Sequence, residues 1–201
     1  AQAVGEEGVE KRVDVIATSF ERTKLVDGPL AAKARFTGNP VRDVVLTAAG
    51  RPYVPAQPNG PFSLVVFGGS QGARYFSDTV PPALATLPPA ARARLNVVQQ
   101  CRAEDIDRVR EAYRAAGIAA ELETFFRDLP ERMSRAHLVV ARAGASSVAE
   151  LTVIGRPSIL VPLPHSLDND QLQNATRLAE SGGAWCIEQK DLTPERLGGE
   201  I

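Results

Sequence analysis

Two cysteines and two histidines are all that this 201-residue chain offers toward disulfide or soft-metal chemistry. Cys101 and Cys186 stand far apart without a shared spacing motif, and with His137 and His165 they make no credible zinc set. No disulfide scaffold is expected, and a reducing cytoplasm is the default compartment. An excess of one charge is lacking as well. The 23 Lys and Arg against 24 Asp and Glu leave a net charge of -1, so no basic field exists to hold nucleic acid. No apolar run approaches the ~20 residues of a membrane span. The first residues are charged (Glu6, Glu7, Glu10, Lys11, Arg12) and show no signal-peptide pattern.

What remains is an ordinary globular composition, 44% hydrophobic and 23% charged, of a length that suits one large domain or one and a half. The chain opens without Met and stops just after a helix start at Thr193-Pro194-Glu195. Both ends are therefore expected to be cut. Residues 13–17 read as a strand and 26–34 as a loop, with Asp27-Gly28-Pro29 as a turn. Gly38-Asn39-Pro40 breaks any regular element, and a domain boundary is placed there. Four prolines from residue 50 to residue 61 mark a surface loop or linker.

From Phe62 onward strands and helices alternate. Strands are expected at 63–67, 95–100, 120–125, 137–141, 158–161 and 184–188. Helices are expected at 73–87, 103–116, 129–135, 147–154 and 171–180, the first made irregular by Pro81-Pro82. Such alternation predicts parallel β-α-β units in a doubly wound α/β sheet of about six strands, with helices on both faces and right-handed crossovers. Ligands bind such sheets at the carboxyl ends of the strands.

Two turns sit at that edge. Gly68-Gly69-Ser70-Gln71-Gly72-Ala73-Arg74 follows one strand and precedes a helix. Its glycines would let backbone N–H groups close on a phosphate, with Ser70 donating a hydroxyl. A tight turn needing glycine for its backbone angles explains the same residues. The spacing is neither the dinucleotide fingerprint nor a P-loop. At the second turn, Ala143-Gly144-Ala145 leads into Ser146-Ser147-Val148-Ala149-Glu150. Ser147 and Glu150, three apart, fit a capping box that needs no ligand, and from the pattern alone this reading comes ahead of a phosphate at the helix start. Arg42 reads as a pyrophosphate contact or as a solvated surface arginine. His165, Asp168 and Asp170 suit a polar loop better than a metal cluster. Phe125-Phe126 reads as core. There is no nucleophile elbow and no Cys/His dyad with an orienting partner. The residues alone describe a binder of a phosphorylated ligand, with no metal, no cofactor and no evident general base.

Four motifs in order resemble the MurG family of bacterial UDP-GlcNAc transferases. They are Thr37-Gly38-Asn39-Pro40-Val41-Arg42, Gly68-Gly69-Ser70-Gln71-Gly72-Ala73-Arg74, Arg142-Ala143-Gly144-Ala145-Ser146-Ser147-Val148-Ala149-Glu150, and Asp168-Asn169-Asp170-Gln171-Leu172-Gln173-Asn174-Ala175. The resemblance runs from about Val13 to the end. It implies a two-domain GT-B glycosyltransferase, with residues 1–40 as the tail of an acceptor domain and 41–201 as the UDP-GlcNAc-binding domain. It implies an inverting, metal-independent transfer of GlcNAc to the 4-hydroxyl of the muramyl sugar of lipid I, giving lipid II for peptidoglycan. It also implies a peripheral place on the cytoplasmic face of the bacterial inner membrane, through the acceptor domain.

Carried onto this chain, the family's donor site assigns the diphosphate to Arg42 and Ser70, with Gly69, Gln71 and Gly72 supplying the turn. Phe126 sits where backbone reads the uracil edge. Ala145, Ser146, Ser147, Val148, Ala149 and Glu150 line the nucleotide, Glu150 gripping the ribose hydroxyls, and Gln171 meets the GlcNAc hydroxyls. Many members have Ser-Gly-Ala-Leu-Thr where this chain has Ala143-Gly144-Ala145-Ser146-Ser147. The family's N-terminal glycine-rich loop and histidine, which serve acceptor binding and catalysis, have no counterpart here. The catalytic residues are thus expected outside these 201 residues, and the chain alone is expected to bind donor and transfer nothing. The motif order fits a UDP-GlcNAc 2-epimerase poorly. A split lipid-linked GlcNAc transferase, whose donor-binding half is its own polypeptide, is opposed by the segment before Pro40. A non-enzymatic nucleotide module is opposed by the intact Arg42, Ser70, Glu150 and Gln171 set.

Overall fold

A computed structural model describes residues 12–19, 26–166 and 169–201, and at residues 70–72 the backbone only. The chain divides into two compact units, Ala1–Pro40 and Val41–Ile201.

The first unit is a small β-α-β element. β1 (Ile16–Thr18) and β2 (Ala34–Phe36) pair in parallel, with α1 (Pro29–Lys33) between them. That helix stands where a loop is expected. Gly28 turns the chain at φ 55°, Pro29 presets the first helical φ, and Leu-Ala-Ala-Lys favours helix. Lys33 donates its ammonium to the Val13 carbonyl at 2.8 Å and ties the helix back onto the first strand.

The second unit carries the rhythm read from the sequence. In order come α2 (Asp43–Ala49), β3 (Phe62–Phe67), α3 (Gly69–Ala85), α4 (Pro89–Arg92), β4 (Leu95–Gln100) and α5 (Ile106–Ala115). Then follow β5 (Ala119–Glu123), α6 (Leu129–Arg135), β6 (Leu138–Ala141), α7 (Ala145–Ile154), β7 (Ser158–Leu160), α8 (Asp170–Glu180), β8 (Ala184–Cys186) and α9 (Pro194–Glu200). The sheet order is β5-β4-β3-β6-β7-β8, every pair parallel. The winding reverses between β3 and β6, the switch point at which such sheets open a crevice.

The central strands are apolar along their length because both faces are covered. Along β3 the period of two divides the core. Leu64 and Val66 pack with Phe76, Val80 and Leu84 of α3, Val109 and Tyr113 of α5 and Leu197 of α9. Val65 and Phe67 pack on the other face with Val45 of α2, Met133 of α6, and Val148, Leu151 and Ile154 of α7.

Several boundaries differ from expectation. The helix after β3 begins at Gly69, four residues before the expected start, so the glycine segment is its first turn and not a loop ahead of it. It continues through Pro81 and Pro82 to Ala85. Two prolines inside a helix cost about 3 kcal/mol or more each, and full burial of Val80, Ala83 and Leu84 offsets that cost. The expected helix 103–116 is a 3-10 turn, Ala103–Asp105, followed by α5. The strand expected through 188 ends at Cys186. Helix α2 lies in residues 43–49, where the sequence assigns no element.

One side chain binds the ends of three helices. Arg156 is 5% exposed and has no carboxylate partner among the described residues. Its guanidinium donates to Ser134 O (Nε, 3.0 Å) in the last turn of α6, and to Ile154 O (2.9 Å) and Gly155 O (3.0 Å) at the end of α7. It also reaches Arg51 O (2.8 Å), just past α2. Helix carboxyl ends carry unsatisfied carbonyls and partial negative charge, so together they stand in for a counter-ion. Burial lowers the Arg156 pKa.

Arg156→Met is expected to lower unfolding free energy by about 3 kcal/mol in a urea titration, because these carbonyls lose a charged donor in a buried site. A second pair tests the seating of α9 on α3. A Cβ at Gly198 would lie 2.5 Å from Thr86 Oγ1 and 2.9 Å from Ala83 O, whereas one at Gly199 meets nothing within 4 Å. Gly198→Ala should therefore destabilise by about 1–3 kcal/mol, and Gly199→Ala should be neutral or stabilise by up to about 1 kcal/mol. The same titration reads both.

Candidate functional site

The loops leaving β3, β6 and β7 all open on the carboxyl edge of the sheet, on either side of the β3/β6 switch. Arg42, immediately before α2, and Glu150, in the middle of α7, meet there. Nε and Nη2 of Arg42 both donate to Oε1 of Glu150, at 3.1 and 2.9 Å. The carboxylate is mostly buried, 13% exposed, and the guanidinium is 60% exposed. The contact joins residues 108 positions apart in the sequence, so Arg42 has a partner at this edge.

This pair excludes the capping box. Helix α7 starts at Ala145 with Gly144 as its N-cap, and no side chain caps it. Ser147 is already the third helical residue, three positions past the N-cap and too deep to act as one. Glu150 therefore points across to α2 and not back to its own helix start. Ala145 and Ser146 are exposed, Ser147 and Ala149 half-buried, and Val148 packs into the core. Only its backbone remains for a ligand. The exposed first turn of α7 presents free N–H groups and the positive end of the helix dipole.

Gln171, in the first turn of α8, reaches into the same place. Its Oε1 accepts from Ala143 N at 3.2 Å and from Leu163 N at 3.1 Å. Asn174, one turn on, donates Nδ2 to Ala143 O at 3.1 Å. The two amides bracket the Ala143 backbone just before α7 and fix the loop after β7 to the loop after β6. With Oε1 committed, Gln171 can offer a ligand its Nε2 protons.

At the glycine turn, Gly69 takes φ 64°, the left-handed conformation for which the tight-turn reading requires glycine. The side chains of Ser70 and Gln71 lie outside what is described, as does Asp168, and the site assignments of Ser70, Gln71 and Gly72 rest on the sequence. Two residues that the motifs left without a role act here. Gln100, at the end of β4, accepts from Gly69 N at 3.0 Å and Gly68 N at 3.4 Å through Oε1. Arg142 is 5% exposed at the end of β6. Its guanidinium lies over the rings of Tyr75 (4.9 Å) and Phe76 (5.3 Å) and donates to Val161 O and Pro162 O at 3.1 Å and to Gln189 Oε1 at 2.5 Å. Burial lowers its pKa and raises that of Tyr75. The sequence signal for Arg142 was a charge ending an all-apolar strand among small residues; for Gln100 there was none.

Phe126 is 7% exposed, with the Arg132 guanidinium 4.6 Å above its ring. Arg132 also holds Asp128 at 2.8 Å and Glu121 at 2.6 Å, and its bond keeps the Asp128 carboxyl below the usual carboxylate range. Phe125, read as core and as the last residue of a strand 120–125, is 68% exposed, because β5 ends at Glu123 and the chain bends at Thr124, so Phe125 lies past the sheet. His137, of the expected strand 137–141, packs on Phe62 with ring centroids 5.5 Å apart, and its Nδ1 accepts from Ser63 N at 2.8 Å. Among the described residues no three His, Cys, Asp or Glu are grouped to hold a metal. A surface cavity of about 770 Å³ lies elsewhere, between α2 and the start of α6, lined by Val44, Thr47, Arg51, Arg127 and Asp128.

This edge, with a cation, a carboxylate, two helix starts and an amide clamp around a topological switch, belongs to a known class. Residues 63–201 match the model of the glycosyltransferase family 28 C-terminal domain, and the chain belongs to that family. Particular relatives are similar over most of its length. The chain is 55% identical over 188 residues to the UDP-N-acetylglucosamine–N-acetylmuramyl-(pentapeptide) pyrophosphoryl-undecaprenol N-acetylglucosamine transferase of Methylobacterium sp. (strain 4-46), covering 93% of this chain and 50% of that one. It is 52% identical over 190 residues to the protein of the same name from Brucella abortus (strain S19), covering 94% and 50%. The crystal structure of Acinetobacter baumannii MurG superposes with a TM-score of 0.74 at 27% identity, covering 97% of this chain and 53% of that one. The chain thus spans about half the length of the curated relatives it matches. The fold is that of a GT-B glycosyltransferase domain, as the sequence led one to expect.

The Arg42–Glu150 pair is half open to water, and such pairs contribute at most about 1 kcal/mol to stability. Glu150→Ala is expected to lower the unfolding free energy from a urea titration by no more than that, with an unchanged circular dichroism spectrum. A larger loss would mean that the pair is part of the fold's support.

Proposed function

We propose that this chain is the donor-binding part of an inverting transferase. That enzyme moves GlcNAc from UDP-GlcNAc to the 4-hydroxyl of the muramyl sugar of lipid I. The observation that carries the reading is the Arg42–Glu150 pair beside the exposed start of α7, with Gln171 fixed close by. The relatives, by name N-acetylglucosamine transferases acting from UDP-N-acetylglucosamine, supply the substrates of this reading.

In this reading Glu150 accepts from the ribose hydroxyls. Arg42 turns from Glu150 toward the diphosphate, joined by Ser70 and by the Gly69–Gly72 turn, whose Ser70 and Gln71 N–H groups face the anion. Phe126 presents backbone to the uracil edge, the α7 turn from Ala145 to Glu150 lines the nucleotide, and Gln171 donates Nε2 to the sugar. Departure of UDP builds negative charge on the diphosphate, and fixed donors stabilise it where it forms. The acceptor hydroxyl is deprotonated by a base from the part of the relatives that this chain does not span, brought close by domain closure. Because the acceptor is lipid-linked, the whole enzyme works as a peripheral protein on the cytoplasmic face of the bacterial inner membrane. Among the described residues no helix is long and apolar enough to cross one.

Calorimetric titration with UDP-GlcNAc tests the reading, with UDP-GalNAc and NADH as controls. The chain is expected to bind UDP-GlcNAc in preference to both, and to transfer no GlcNAc to lipid I by itself. Arg42→Ala and Glu150→Ala should each weaken binding about 10- to 100-fold, the loss of one charged hydrogen-bonding partner. Preference for NADH, or full affinity in both variants, would overturn the assignment.

A further inference from the structure

We propose that Gln100 is a positioning residue that sets the diphosphate turn at a fixed distance from the base-side loop, so that one nucleoside diphosphate engages both. The inference rests on the donor-binding reading above.

Strand β4 lies between β3 and β5, and its register pairs Val66 with Gln99 and Gln100 with Glu123. Gln100 is therefore in the last row of the sheet, between the exits of two neighbouring strands. Its amide is used at both ends. Oε1 accepts from Gly69 N (3.0 Å) and Gly68 N (3.4 Å), while Nε2 donates to Thr124 O at 3.1 Å. One side chain thus binds three backbone groups in two loops, the glycine turn that opens α3 and the segment two residues before Phe126.

The glycine turn needs such a brace. Gly68, the N-cap of α3, has no side chain with which to cap the helix, and Gly69 sits at φ 64°. Glycine gives this turn its angles but does nothing to hold it there. The cap comes instead from the adjacent strand. It occupies the first two of the four N–H groups that an α-helix leaves without internal partners. The next two, at Ser70 and Gln71, are those a helix start offers to an anion.

The chemistry selects glutamine. A glutamate accepts from both glycine N–H groups but cannot donate to Thr124, and it sets a negative charge beside the diphosphate. A leucine does neither. An asparagine is one methylene shorter than the span.

NMR titration of wild type, Gln100→Leu and Gln100→Glu with UDP and with uridine, alongside thermal melts, tests this. Wild type should bind UDP more tightly than uridine. Gln100→Leu should lose about tenfold in UDP affinity, and Gln100→Glu more, since its charge repels phosphate. In both the UDP-to-uridine affinity ratio should fall, and in Gln100→Leu the Gly68 and Gly69 amides should exchange faster. A merely structural glutamine would lower the melting temperature or weaken both ligands equally, leaving the ratio unchanged, and that result overturns the proposal. Gln100→Glu keeps the glycine bonds and serves if the leucine variant does not fold. Wild type that fails to bind UDP would remove the donor-binding reading itself; wild type that binds while both variants keep its ratio would remove only the role of Gln100.

Discussion

The Val41–Ile201 unit depends on a buried guanidinium with no carboxylate beside it. Arg156 collects carbonyls from the ends of α6 and α7 and from just beyond α2. Each helix brings partial negative charge to its carboxyl end, and three together make a site where a cation is buried without a formal partner. This fixes α2 against α7 at one end. Across the other end Arg42 and Glu150 face each other. The distance between a proposed phosphate ligand and a proposed ribose ligand is therefore set by a staple that touches neither.

Arg142 repeats the device at the opposite edge of the sheet. It too is buried, takes carbonyls and an amide oxygen as its acceptors, and lies against aromatic rings. Planar, weakly hydrated guanidinium suits both positions, since it satisfies several carbonyls in one plane while its face rests on an aromatic ring, Tyr53 under Arg156 at 5.5 Å and Tyr75 and Phe76 under Arg142. A lysine could do neither. With Arg156 below and Arg142 above, the β6-α7-β7 segment is held at both ends, and the turn that opens α7 is kept in place under load from any anion it receives.

Much of this was legible. Alternating apolar runs and helical stretches predicted a doubly wound parallel sheet, because strands covered on both faces must be apolar throughout. Gly155 and Pro157 marked the end of α7, and Thr193 the start of α9, where its hydroxyl accepts from Arg196 N. Local chemistry decides those points. The first unit was harder to read, since Pro29–Lys33 is too short for periodicity and its helix follows from one glycine and one proline.

The sequence by itself determined the periodicity, the glycine turns and the order of four motifs, because each is written within a dozen adjacent residues. Tertiary structure decided the rest. It chose Arg42 over Ser147 as the partner of Glu150, exposed Phe125 while burying Phe126, carried α3 through two prolines, and gave Gln100 to a glycine turn 31 residues away. Each outcome turns on which groups meet across the sheet edge, and the energy of burying or pairing a side chain belongs to the contact and not to either residue alone.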